Sequence, residues 1–438
     1  MKFNFNGIFT CLALAGLYLS QPVSADDDII CGTPDDPSLG LQKSSPMQAL
    51  PTVKVYQGVL KAYVFRIDFA DAATTVTTAD IDKNNVIIND FYKAMSRNLF
   101  SWQFIVHPTP LVMPGTAASY DGNFNALRAD ISTAVTATGL KRCSTSNPTA
   151  CDYSVYNVTF PKLNLGWSGL SSGGTSGQNY MNGSYGTGVT SHEMGHTVGL
   201  AHAHSIEAGA TDIFGTPGTT SQHVEYGNPF DVMGRGGATG HFNICYKYRD
   251  GWTDGAGVEV KEVTQSGVFR LYGQDTPDHK GRLLGIRVPS GDAKYGYWFE
   301  YHTNSANGRK GAHVMVDGWN GTSSRADTWL LDLTPATTTD NDGLMAPNME
   351  LKDNWGTTTF KTLGMSAVAG PEGWVDVQVA WNGIVGIAPK SVNLMRRGWD
   401  AHTPTFSVAG RAVNSLISMQ TLVLRPRDGQ APQLLLSR

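Results

Sequence analysis

His192, Glu193, His196, Gly199 and His202 constrain this chain more than any other feature, because they fall at the spacing His-Glu-x-x-His-x-x-Gly-x-x-His. Residues four apart project from one face of an α-helix, so His192 and His196 can grip a single ion. Glu193 lies one step round the same turn. That sets it beside the ion, where a general base for an attacking water belongs, and not on it. Gly199 tolerates the backbone that ends a helix abruptly, which lets His202 approach from another side. Three protein ligands leave one coordination position for water, the mark of a catalytic zinc as opposed to a structural one.

A methionine suited to the floor of such a site stands downstream. Tyr226-Gly227-Asn228-Pro229-Phe230-Asp231-Val232-Met233-Gly234 carries the residues of a tight turn, and Met233 lies 31 residues beyond His202. The eleven-residue motif followed by a methionine turn is the metzincin signature, and the chain resembles that clan on these residues.

The first 25 residues read as a secretory signal: Lys2 near the start, an apolar run from Ile8 to Leu19, and Val23-Ser24-Ala25 as a small-residue cleavage site. The apolar part is too short for a comfortable membrane span, so no integral membrane segment is expected in the mature chain. The destination is extracellular, with periplasmic transit on the way. A charged fraction of 16% and a net charge of −4 give no basic patch for nucleic acid. Nothing in the sequence speaks to oligomeric state.

Of five cysteines, Cys11 falls in the signal, leaving Cys31, Cys143, Cys151 and Cys245 for an oxidising compartment. Cys143 and Cys151 flank a polar loop and are expected to pair. Cys31 with Cys245 is then the default second disulfide. The alternative for Cys31 is a zinc-capping thiol. Cys31-Gly32-Thr33-Pro34-Asp35 looks like the core of the cysteine switch of matrix metalloproteinases, although Ile30 replaces the usual arginine and the preceding segment is short.

Residues 26–50 read as a mobile leader or short propeptide. Strands are expected at 53–69, 102–106 and 153–160. Helices are expected at 80–99, capped by Asp80, and at about 124–135. A substrate-binding edge strand is placed near 166–174. The fold class is α+β. A metzincin-like catalytic domain over 51–254, a twisted mixed sheet with long helices and zinc in the cleft, precedes an antiparallel β-sandwich over 255–390. There the texture changes to short apolar runs at 267–272, 283–288, 295–301, 312–316, 329–333 and 374–381 between turn residues. Residues 391–438 have no clear structure. In the second half Asp340-Asn341-Asp342-Gly343 is either a weak calcium site or an Asx turn, the turn being preferred. His204 and His223 are expected on loops or at the surface.

The motif, the 226–234 turn and Gly166-Trp167-Ser168-Gly169-Leu170 together resemble gametolysin-type peptidases over roughly residues 60–250. The resemblance implies His192, His196 and His202 as zinc ligands, Glu193 as base and proton shuttle, and Met233 as the turn methionine. Some metzincins carry an auxiliary tyrosine two residues after that methionine; here Arg235 stands there, and Tyr226 is the spatial substitute. The expected activity is a secreted zinc endopeptidase acting on proteins or peptides. Its rivals are a cell-wall amide hydrolase using the same zinc, and a glycan-binding adhesin with a vestigial metal site. The tryptophans of the second half motivate the adhesin.

Overall fold

A computed structural model describes residues 31–33, 55–143, 150–174, 177–207, 223–237, 240–254, 257–277, 281–290, 296–304, 307–317, 327–334, 337, 340–353, 358–381, 422–425 and 433–436. The signal segment, most of the leader and most of 391–438 lie outside the described residues.

Alternating apolar residues drive the first sheet. In β1 (Gly58–Asp68) Ala62 and Val64 face one way and Tyr63, Phe65 and Ile67 the other, so both faces are covered. α1 (Thr78–Met95) packs Ile81, Ile88, Tyr92 and Met95 onto the first face. Its cap is Thr77, not Asp80. Asp80 completes a capping box by accepting from the Thr77 N–H while its own N–H bonds the Thr77 hydroxyl. β2 (Phe100–Val106), β3 (Leu111–Val112), α2 (Ala117–Tyr120) and α3 (Phe124–Ala137) follow, with Leu127, Ile131 and Val135 of α3 on the opposite face. β4 (Val155–Phe160), β5 (Gly169–Ser171) and β6 (Gln178–Asn182) complete the order β2-β1-β4-β6-β5, with β3 beside β1. All pairings are parallel except β5 on β6, which makes β5 the antiparallel edge. The sequence places an edge there.

α4 (Thr187–Thr197) carries the motif and joins α1 over the first face. Beyond it, β7 (Ala203–Glu207) and β8 (His223–Val224) leave this sheet for another. α5 (Ile244–Arg249), β9 (Val260–Glu262), β10 (Gly267–Tyr272), β11 (Gly285–Pro289), β12 (Gly296–Glu300), β13 (His313–Asp317), β14 (Thr328–Asp332), β15 (Glu350–Lys352), β16 (Thr358–Met365) and β17 (Trp374–Trp381) make up the second half. A further pair, β18 (Leu422–Arg425) with β19 (Gln433–Leu436), lies near the C-terminus. A sheet ordered β10-β17-β16-β15 packs on a larger one ordered β8-β7-β14-β13-β12-β11-β9. The larger sheet takes strands from both sides of residue 254.

Its period-two alternation serves two cores. Tyr297, Phe299, Val314, Val316 and Leu331 face the small sheet. Trp298, Met315 and Leu330 face Phe230, Ile244 and Cys245 on the side of the motif. Trp298 and Trp329 are therefore core residues, not sugar platforms. The Asx-rich segment is a 3-10 turn in which Asp342 Oδ1 accepts from the hydroxyls of Thr334 and Thr337. Among the described residues no helix is long and apolar enough to cross a membrane.

Among the described residues one disulfide forms, Cys143–Cys151. The default second bridge does not: Cys31 and Cys245 are both free thiols. Cys245 is sunk with Phe230, Ile244 and Trp298 between α5 and the large sheet, whereas Cys31 is held beside Glu193 and His196.

Candidate metal centre

α4 ends where its sequence requires. Gly199 takes φ +86° and donates to the His196 carbonyl, while Leu200 N–H reaches back to the Gly195 carbonyl. The chain then turns so that His202 meets the helix it has just left. The Nδ1 atoms of His192 and His196 lie 2.8 Å from the carbonyls of Val232 and Leu200, which fixes both rings and leaves their Nε2 atoms for an ion. His202 Nε2 stands 3.1 Å from His196 Nε2.

Cys31, His192, His196 and His202 each offer one donor atom, and these four atoms lie within 4.8 Å of one another. Around a tetrahedral zinc, neighbouring nitrogens stand roughly 3.3 Å apart and a nitrogen and a sulfur roughly 3.6 Å. The His196–His202 separation of 3.1 Å and the Cys31 Sγ–His196 Nε2 separation of 3.6 Å suit such an ion. Met233, wholly buried, lies beneath: a Cβ placed on Gly195 would collide with its sulfur. Asp231 holds that turn by accepting from the Met233 and Asn243 N–H groups, and burial pushes its carboxyl up to about 7 against those hydrogen bonds.

Glu193 is fully buried beside the cluster. Burial pushes its carboxyl up to about 8, opposed by hydrogen bonds from Cys31 and Thr33. Its Oε1 has no hydrogen-bond partner. Edge strand β5 runs directly past it, and any side chain at Gly169 would strike the carboxylate. Burial, then the Glu193 charge, raises the Cys31 thiol.

Residues 31–33 lie along that edge. Cys31 bridges Gly169 in parallel sense, and the Gly32 N–H donates to the Gly169 carbonyl at 2.6 Å. The Thr33 hydroxyl accepts from the Ser171 N–H at 2.7 Å and faces Glu193 Oε2 at 3.3 Å. A Cβ at Gly32 would sit 2.7 Å from the Trp167 ring, so only glycine passes there. Tyr226 donates its hydroxyl to the Cys31 carbonyl at 3.2 Å and rests its ring 4.3 Å from that of His202. Sequence reasoning missed Thr33; the one signal available was its place two residues after a flagged cysteine. His204, expected on a loop or at the surface, is buried and stacks on Trp329.

No protein-family model matches the sequence, and no curated protein matches it. Among solved structures the chain is similar to the crystal structure of metalloproteinase-II from Bacteroides fragilis. The likeness has 11% identity and a TM-score of 0.25, and covers 48% of this chain and 56% of that one. The match thus spans little more than half of that structure's length, and a likeness this loose adds nothing to the geometry above.

Proposed function

We propose that this chain is an exported zinc endopeptidase of the metzincin type, with His192, His196 and His202 as ligands and Glu193 as general base. One observation carries the reading: three buried imidazoles converge on one point with a buried carboxylate next to it. Zinc bound there would acidify a water and polarise a carbonyl. The chain's own residues do the rest. Glu193 Oε1, which lacks a partner, accepts the proton of the attacking water and returns it to the leaving amine. Strand β5 supplies main-chain hydrogen bonds to an extended peptide, as it does to Gly32. The Tyr226 hydroxyl, now on the Cys31 carbonyl, passes to the substrate carbonyl and stabilises its developing charge. Cys31 and Thr33 occupy the site, so the full-length chain is the latent form.

The direct test is Glu193→Gln in protein from which the leader has been removed. Zinc content should be unchanged, while cleavage of unfolded casein should fall by at least ~10²-fold. A variant that cleaves at the wild-type rate would exclude this chemistry. Tyr226→Phe should lower kcat by roughly 10²- to 10³-fold with little change in KM, as loss of one oxyanion donor does.

A further inference from the structure

A second set of ligand-type side chains lies on the reverse face of the large sheet. Glu300 ends β12, His313 opens β13 directly opposite it in the antiparallel register, and His302 follows two residues after Glu300. The alternation that sends Phe299, Tyr301 and Val314 into the sandwich core turns these three the other way, towards Phe230 and α5. All are buried, none more than 4% exposed. One donor atom from each lies within 4.8 Å of the others. Glu300 Oε1 is 2.8 Å from His302 Nε2 and 3.9 Å from His313 Nδ1, distances that straddle the roughly 3.3 Å edge of a tetrahedral site.

Hydrogen bonding alone does not satisfy the cluster. His313 Nε2 faces the Gly308 carbonyl at 3.3 Å, so that nitrogen carries the proton and Nδ1 presents a lone pair. That buried Nδ1 has no hydrogen-bond partner, and the nearby ionisable atom it faces is another acceptor, the Glu300 carboxylate. His302 Nε2 is caught between Glu300 Oε1 and the Gln274 amide nitrogen, each at 2.8 Å, and cannot both donate to one and accept from the other. Gln274 Nε2 is itself tied to the Phe242 carbonyl. The buried ammonium of Lys247 bonds the Gln274 carbonyl, not Glu300. The His302 and His313 rings stack at 4.1 Å, and their nitrogens with the Glu300 carboxylate make a buried donor set that a cation would satisfy.

We propose that Glu300, His302 and His313 hold a second zinc ion whose fourth position is left to a water, as at the first site, but whose burial makes its role structural. One carboxylate with two neutral imidazoles is a borderline-soft donor set suited to zinc, and its burial excludes substrate. The ion would act as a rivet. Glu300 Oε2 accepts the Ile244 N–H at 2.6 Å, and the adjacent Asn243 is held by Asp231, which also holds Met233. The large sheet would thereby be pinned to the turn beneath the first metal cluster. This inference does not depend on the peptidase reading.

The test is metal stoichiometry of the full-length chain after zinc loading and exhaustive dialysis. Wild type should retain two equivalents and Glu300→Gln one; the glutamine keeps an acceptor for Ile244. His202→Ala should also retain one, and His202→Ala with His313→Asn none. As a check that needs no change at the second site, cobalt titrated into His202→Ala should bind at one equivalent with the visible bands of a low-symmetry, four-coordinate ion. A wild type that holds a single equivalent, lost in His202→Ala and kept in Glu300→Gln, would overturn the proposal and leave a plain His302–Glu300 ion pair. A single equivalent kept in His202→Ala and lost in Glu300→Gln would overturn the first site instead and uphold this one.

Discussion

Gly195 has the sulfur of Met233 directly against it, with no space for one more carbon. Gly195→Ala must push Met233 out of a packed floor. Overpacking of this kind destabilises by about 1–3 kcal/mol. Urea denaturation should read that loss, and a chelator should strip the metal faster than from wild type. Cys31 makes the opposite prediction. Cys31→Ser shortens and hardens the donor over the cluster, so full-length protein should show proteolysis that wild type shows only after leader removal; unchanged latency would deny Cys31 the capping role. The motif residues were legible because each is fixed by spacing along one helix and one turn. Thr33 was not, since its partners Ser171 and Glu193 stand well over a hundred positions away and nothing local announces them. For Cys31 the thiol count points to the wrong partner for a related reason: it says how many can pair, not which ones the fold keeps apart.

Strands β11, β12 and β13 are cross-braced by a buried ion pair. Arg287 donates to Asp317 at 2.9 Å and to Glu262 at 3.0 Å, and Asp317 also accepts from the Trp298 indole and the Gly296 N–H. Asp317→Ala leaves the buried guanidinium with Glu262 alone and takes the acceptor from the Trp298 indole and the Gly296 N–H, and should destabilise by about 3–5 kcal/mol. The double variant Arg287→Met/Asp317→Leu should lose distinctly less in the same denaturant titration. A double variant as weak as the single one would show that packing, not the orphaned charge, sets the loss. Most strands of this half were legible from alternation, Trp374–Trp381 to the residue. β7 was not. Ala203–Glu207 follows directly on the motif with little apolar pattern, and becomes a strand by pairing with β8 and with β14, the latter more than a hundred residues away. β16 escaped for the converse reason, its threonines and Gly364 diluting the hydrophobic signal while Phe360 and Thr362 are buried.

At the scale of the whole molecule, the two halves share a sheet. β7 leaves the metal cluster and enters the larger sheet beside β14, and α5 rests its first turn on Glu300. The change of texture near residue 255 is real in composition, yet strand pairing ignores it, because hydrogen-bonded neighbours need not be neighbours in sequence. A fragment ending at residue 254 would expose the β7 edge and uncover Ile244 and Cys245. It should be aggregation-prone, lack a cooperative thermal transition and retain no zinc after dialysis. A soluble fragment that melts cooperatively and keeps its zinc would refute this interdependence.

The segment lying along β5 belongs to the same covalent chain as β5 itself. Its return to the cleft is therefore a first-order process governed by an effective molarity, not by how much protein is in solution. Dispersal into an open medium would leave the uncut chain as silent as it was when concentrated. Once the backbone is nicked, the departing piece obeys ordinary mass action, and the loss of restraint is in practice permanent.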